Sequence, residues 1–209
     1  NFAEYGAEIV LECTVAFLTQ ESVQPYLDNG VKKVLFSAPA KDDTATFVIG
    51  ANEESYAGQS VVSNASCTTN GLAPLAKVLD DAFGIENGLM TTIHSYTSSQ
   101  PILDAKHKKD PRKGRSGATN LVPTTTGAAK AISKVLPSLE GKLNGQAIRV
   151  PTASVSCIDL TLQLRERVER DPHEMSCQLS TERTIKCTDD AGKSLKAAGD
   201  WWRARLARP

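Results

Sequence analysis

The stretch EIVLECTVAFLTQESVQPYLDNGVKKVLFS, residues 8–37, decides the fold. Two short apolar runs, EIVLE at 8–12 and VKKVLFS at 31–37, flank a segment in which Val23, Tyr26 and Leu27 share one helical face. Thr19 can cap that helix and Asn29-Gly30 can stop it. Strand, helix and strand in this order predict a parallel βαβ unit with its crossover helix packed on the sheet. Working outward, residues 39–44 read as a turn, 46–49 as a strand and Val61-Val62 as a further short strand. Leu72, Leu75, Ala76, Leu79 and Phe83 then recur at helical spacing, with Gly84 as the stop. LMTTIHSY at 89–96 reads as a strand, and 98–120 as a long polar loop of the kind that usually carries function. Thr126-Gly127 opens a second helix that Pro137 ends. Strands follow at 146–150 and 154–164, the latter alternating Val155, Cys157 and Asp159 against Ile158, Leu160, Leu162 and Leu164. After about Val168 aliphatics thin out, charges mix, and no clear period survives around Trp201 and Trp202.

The 209 residues carry 24 Lys plus Arg against 24 Asp plus Glu, a balance that argues against a general nucleic-acid or membrane-surface role. No apolar run approaches the roughly 20 residues that span a bilayer, and NFAEYGAEIV at the start lacks the features of a signal peptide. The chain opens on Asn1 and reads as beginning inside a fold. Cys13, Cys67, Cys157, Cys177 and Cys187 are odd in number and scattered, with neither metal-ligand nor disulfide spacing. A reducing cytoplasm is the simplest setting, with no metal expected.

Cys67 lies in SNASCTTNG, between a strand end and the start of the helix. A helix N-terminus presents free N–H groups and a partial positive charge, and both stabilise a thiolate. Asn64, Ser66, Thr68 and Asn70 add small polar donors able to hold an anion. For an arbitrary cysteine a buried structural role is the commoner one, and Cys13 and Cys157, within or beside apolar strands, are expected to take it. His94, at the end of the apolar run LMTTIH, can pair with a thiolate and serve as acid or base. A histidine alone is more often structural, so the two residues by themselves support only a weak Cys–His hypothesis.

The string ASCTTN around Cys67 resembles the active-site signature of the phosphorylating glyceraldehyde-3-phosphate dehydrogenases. The resemblance continues in order through ECT at 12–14, SAP at 37–39, SNASCTTNGLAPLAKVL at 63–79, GLMTTIHSYT at 88–97, PTTTGAAKA at 123–131, GKLNG at 141–145 and RVPT at 149–152. It covers about residues 1–167. It implies an α/β fold: a truncated Rossmann-type NAD-binding domain, residues 1–66, followed by an incomplete mixed α+β catalytic domain, residues 67–167. Residues 168–209 form a divergent tail that reads as foreign to the fold.

The resemblance also implies roles. Cys67 attacks the aldehyde and His94 handles the proton. Thr97 and Arg149 belong to the substrate-phosphate site; Ser66, Thr68, Thr126 and Gly127 belong to the inorganic-phosphate site. Thr14 and Ser37 line the cofactor. Taken singly, Thr126 could instead cap its helix and Arg149 could be a surface ion-pair residue. Glyceraldehyde 3-phosphate and inorganic phosphate are the implied reactants, NAD the implied cofactor with NADP not excluded, and a homotetramer the implied parent assembly. In the loop KHKKDPRKGR, 106–115, Arg112, Lys113 and Arg115 are equal candidates for a phosphate contact, beside a plain reading as a solvated basic loop.

Departures accompany the match. The Gly-rich fingerprint that seats a pyrophosphate is missing. Val15 stands where the family usually has Gly, and Gly71 where a second cysteine is common. The segment as it stands is therefore expected to turn over little. Erythrose-4-phosphate dehydrogenase is the enzyme alternative, and a non-catalytic remnant or a binding module for RNA or protein the alternative from another class.

Overall fold

A computed structural model describes residues 2–108, 110–166, 176–179 and 185–188. The βαβ unit is present. Strand β1 (Ile9–Glu12) leads into helix α1 (Gln20–Asp28) and back into strand β2 (Lys33–Phe36), which pairs with β1 in parallel. Thr19 caps α1 reciprocally: its hydroxyl accepts from Ser22 N at 3.2 Å, and Ser22 Oγ accepts from Thr19 N at 3.1 Å. Gly30, at φ 96°, turns the chain out of the helix in the left-handed region that suits glycine. Strand β3 (Val61–Ser63) joins β2 in parallel and completes a three-stranded sheet in the order β1-β2-β3. Leu18, Val23, Val31, Val34, Phe36, Ala38 and Val61 form one buried cluster, with Val10, Tyr26 and Leu27 packed on it. Burying a side chain such as Phe36 contributes roughly 1.5–3 kcal/mol.

The expected strand at 46–49 reduces to one parallel bridge, Thr46 to Ser63. The Asn52 side chain bends it away, donating to Thr46 O and accepting from Val48 N, both at 2.9 Å.

The chain divides into two compact units. The first comprises residues up to Lys77 together with Gly127–Asn144, and the second comprises Val78–Thr126 together with the chain from Gly145. Helix α2 (Cys67–Phe83) begins in the first unit, where Leu72, Ala73 and Ala76 are buried. Helix α3 (Ala128–Val135) lies in the same unit, and Lys134 Nζ donates to Asp42 O at 2.8 Å.

The second unit is built on strands β4 (Ile85–Ser95), β5 (Val122–Thr125), β6 (Leu143–Val150) and β7 (Ser156–Leu164), ordered β5-β6-β4-β7. β4 pairs with β7, and β5 with β6, both antiparallel. β5 falls in a stretch that carried no strand signal: Pro123 interrupts it and only four residues pair. The α/β architecture expected from the sequence is thus found, with a parallel and a mixed assembly. Strands β8 (Ser176–Leu179) and β9 (Ile185–Thr188) pair antiparallel in the region where no periodicity was legible. Of the expected tail, 168–209, all but these two strands lies outside the described residues.

Candidate active site

In the first unit the candidate nucleophile is set by a tight turn. β3 ends at Ser63, whose hydroxyl donates to Ala38 O at 2.9 Å and accepts from Ala65 N at 3.1 Å. Ala65, buried and at φ 57°, occupies the left-handed region that costs an L-residue about 1–2 kcal/mol. Ser66 then caps the helix: its hydroxyl accepts from Thr69 N at 3.1 Å and contacts Thr69 Oγ1 at 2.8 Å. Cys67 follows as the first residue of the 17-residue α2 and is exposed. Asn70 braces the same turn, with its side chain on Asn64 O at 2.6 Å and Ser66 O at 3.0 Å. Thr68 is half-buried. The sulfur therefore stands at a helix start that rigid local bonds hold open.

Cys13 and Cys157 are exposed, which corrects the expectation of buried structural thiols. Cys13 stands just beyond the end of β1. Cys157 lies on the same face of β7 as Asp159, opposite the half-buried row Ile158, Leu160, Leu162 and Leu164. Exposure alone thus does not distinguish Cys67; its place at the helix start does.

Thr14 and Ser37 follow the carboxyl ends of the parallel strands β1 and β2, where open α/β sheets bind ligands. Both are exposed. Thr14 N donates to Glu12 Oε1 at 2.6 Å, and Ser37 Oγ donates to Glu12 O at 3.0 Å. Val15, beside them, sits at φ 65°. A β-branched residue is a true outlier there, whereas the glycine usual in the resembling family would be at ease.

In the second unit His94 and Arg149 meet, 55 residues apart in sequence. His94 is near the end of β4, opposite Ser156 of β7; Arg149 is near the end of β6, opposite Val122 of β5. Arg149 Nη1 lies 2.6 Å from His94 Nδ1 and donates to Ser95 O at 3.0 Å. The same His94 Nδ1 lies 2.7 Å from Ser95 O. The Ser95 carbonyl is a functional group that sequence reading passed over, because a main-chain oxygen leaves no residue-type signal. Thr97, two residues beyond β4, contacts Ser99 Oγ at 2.9 Å.

Thr126 follows β5, and Gly127 occupies the N-cap position of α3. In the basic loop, Asp110 holds Arg112 through both carboxylate oxygens, at 3.1 and 3.2 Å, and Asp104 holds Arg115 at 3.2 Å. The Arg112 contact lowers the Asp110 carboxyl below its ordinary range; the amide of Ser116, then Arg115, does the same for Asp104. Gly114 makes the loop's close approach possible, since a Cβ there would fall 2.2 Å from Ala105 O. Among the described residues no cluster of metal-ligating side chains occurs, and no helix is long and apolar enough to cross a membrane.

Residues 66–190 match the family described as glyceraldehyde 3-phosphate dehydrogenase, C-terminal domain, a match that runs past residue 167. The chain is 56% identical over 165 residues to the chloroplastic glyceraldehyde-3-phosphate dehydrogenase of Guillardia theta, covering 78% of this chain and 43% of that protein. It is 50% identical over 183 residues to the glyceraldehyde-3-phosphate dehydrogenase of Pseudescherichia vulneris, covering 88% and 62%. The protein of that name from Eremothecium gossypii is 47% identical over 203 residues, covering 95% and 61%. The chain spans about half the length of these relatives. On this evidence the chain belongs to the glyceraldehyde 3-phosphate dehydrogenase family.

Proposed function

We propose that the chain is the part of a phosphorylating glyceraldehyde-3-phosphate dehydrogenase that supplies its nucleophile, its acid–base histidine and its phosphate contacts. The observation that carries this reading is Cys67, exposed at the first turn of α2 behind the Ser66 cap. The thiolate adds to the aldehyde carbon to give a hemithioacetal, and His94 takes the hydroxyl proton as the carbon is oxidised to a thioester. A nicotinamide cofactor, NAD or NADP, would supply the hydride acceptor. Thr14 and Ser37, at the carboxyl ends of parallel strands, are the residues suited to hold it. Phosphate oxygen then attacks the thioester carbonyl, releasing the thiolate and 1,3-bisphosphoglycerate.

Thr97 and Arg149 serve the substrate phosphate; Ser66, Thr68, Thr126 and Gly127 serve the attacking phosphate. Arg149 is well suited, since its fixed fork of donors matches an anion. Ser66 must combine this role with its cap bond. Arg112 and Arg115 are already paired with carboxylates, which leaves Lys113 the better basic-loop candidate. The setting is cytoplasmic and the working assembly a homotetramer. The domain reading is part of the proposal: 1–66 toward the cofactor, 67–167 toward the chemistry, and 168–209 as a tail that the family match enters as far as residue 190.

The test is a chimera that supplies the rest of a relative's length. Reduction of NAD or NADP should follow on adding glyceraldehyde 3-phosphate and phosphate, at a rate on the order of 1–10³ per second. Faster turnover of erythrose 4-phosphate would shift the assignment to that substrate, and no turnover of either would leave a non-catalytic role.

A further inference from the structure

His94 Nδ1 faces two groups that ask opposite things of it. Ser95 O, at 2.7 Å, can only accept, so that contact needs a proton on Nδ1. The Arg149 guanidinium, at 2.6 Å, can only donate, so that contact needs a lone pair on Nδ1. A neutral ring satisfies one at a time. With Arg149 seated, Nδ1 accepts, the proton sits on Nε2, and Ser95 O is served instead by Arg149 Nη1 at 3.0 Å. With Arg149 withdrawn, Ser95 O is left to His94, Nδ1 carries the proton, and Nε2 keeps the lone pair a base requires.

We propose that Arg149 is the positioning residue that sets the tautomer of His94, and that an anion bound by Arg149 switches His94 into its basic form. This rests on the reading of Arg149 as a phosphate contact. A phosphate dianion competes for the guanidinium through charge-assisted bonds about twice as strong as a bond to a neutral acceptor. The exchange is balanced: one proton leaves Nε2 for water and one arrives from water at Nδ1, with no change of ring charge. The histidine therefore becomes a base only when the phosphate end of a substrate is in place. An aldehyde without that group leaves it in the resting tautomer.

The tautomer can be read directly on the chain as it stands. Ring nitrogens of ¹⁵N-histidine-labelled protein are observed well above the ordinary histidine pKa of about 6.5, with His94→Gln to assign the signal among the three histidines. Without phosphate, the pyridine-type signal is expected on Nδ1. Inorganic phosphate should move it to Nε2, whereas chloride at matched ionic strength should not. Arg149→Met, which keeps the stem without donors, should show it on Nε2 with no anion added. A resting signal on Nε2 in the unsubstituted chain would overturn the proposal without any variant. So would an unchanged tautomer in Arg149→Met. A shift in Arg149→Met with no response to phosphate would also overturn the switch, and would identify the phosphate-contact reading as the part that failed.

Discussion

The two units place chemistry by different means. In the first, strands β1, β2 and β3 are three or four residues long, parallel, and follow chain order. Its candidate nucleophile, Cys67, is positioned by bonds within a few residues: Ser63 to Ala65, Ser66 to Thr69, Asn70 to Ser66. In the second, β4 and β7 are long and antiparallel, and the strands interleave as β5-β6-β4-β7. Its candidate pair, His94 and Arg149, exists only because β6 lies beside β4 and brings together residues far apart in sequence. A single side chain can be set by a local turn, whereas a contact between residues far apart in sequence needs a sheet.

The strongest way to break this contrast is by substitution at the two proposed catalytic positions in the chimera. Cys67→Ser should abolish turnover, because only sulfur makes the thioester, whereas His94→Asn should slow it about 10²–10⁴-fold. Equal losses measured by steady-state kinetics would erase the distinction between covalent and proton-transfer roles.

Next in size is Phe36→Ala, which empties a fully buried site of the first unit's core. It should cost about 3–5 kcal/mol in urea unfolding. Leu89→Ala on β4, at a residue 62% exposed, should stay within about 0.5 kcal/mol.

Smaller, and opposite in sign, is Val15→Gly. Relief of a left-handed β-branched residue, about 1–2 kcal/mol, outweighs the added freedom of glycine, about 0.5–1 kcal/mol. A modest rise in Tm is expected, and a fall would mean that Val15 makes contacts worth more than its strain.

The least effect belongs to Asp42. Burial pushes its carboxyl upward, but the bonds from the Thr44 hydroxyl and from the amides of Gln20 and Thr44 outweigh this and hold it below 3.8. The contribution to stability is thus full above about 3.8 and disappears as pH falls through the lower folded-state value. Asp42→Asn should flatten the acid limb of a Tm-against-pH curve slightly, and an unchanged limb would assign the acid sensitivity elsewhere.

What could be read in the sequence follows the same division. The α1 cap at Thr19, its stop at Gly30, the parallel pair β1–β2 and the helix start at Cys67 were legible because each is encoded within one or two turns of chain. Strand β5 was not, because four residues with Pro123 among them make a strand only when β6 is alongside. The exposure of Cys157 could have been read from its place in phase with Asp159. The left-handed turns at Val15 and Ala65 were illegible, since neither residue type advertises a positive φ. The contact of Arg149 with His94 had no local trace at all.

The two restraints on His94 also differ under mutation. Arg149 is a side chain, so a single codon change deletes its hold on the ring. The Ser95 acceptor is a main-chain carbonyl, and every residue that could replace Ser95 brings the same oxygen. Heritable variation can therefore remove the restraint that favours the resting tautomer, but it cannot readily remove the one that favours the base. The most accessible mutational failure of this histidine is a loss of control over when it is basic.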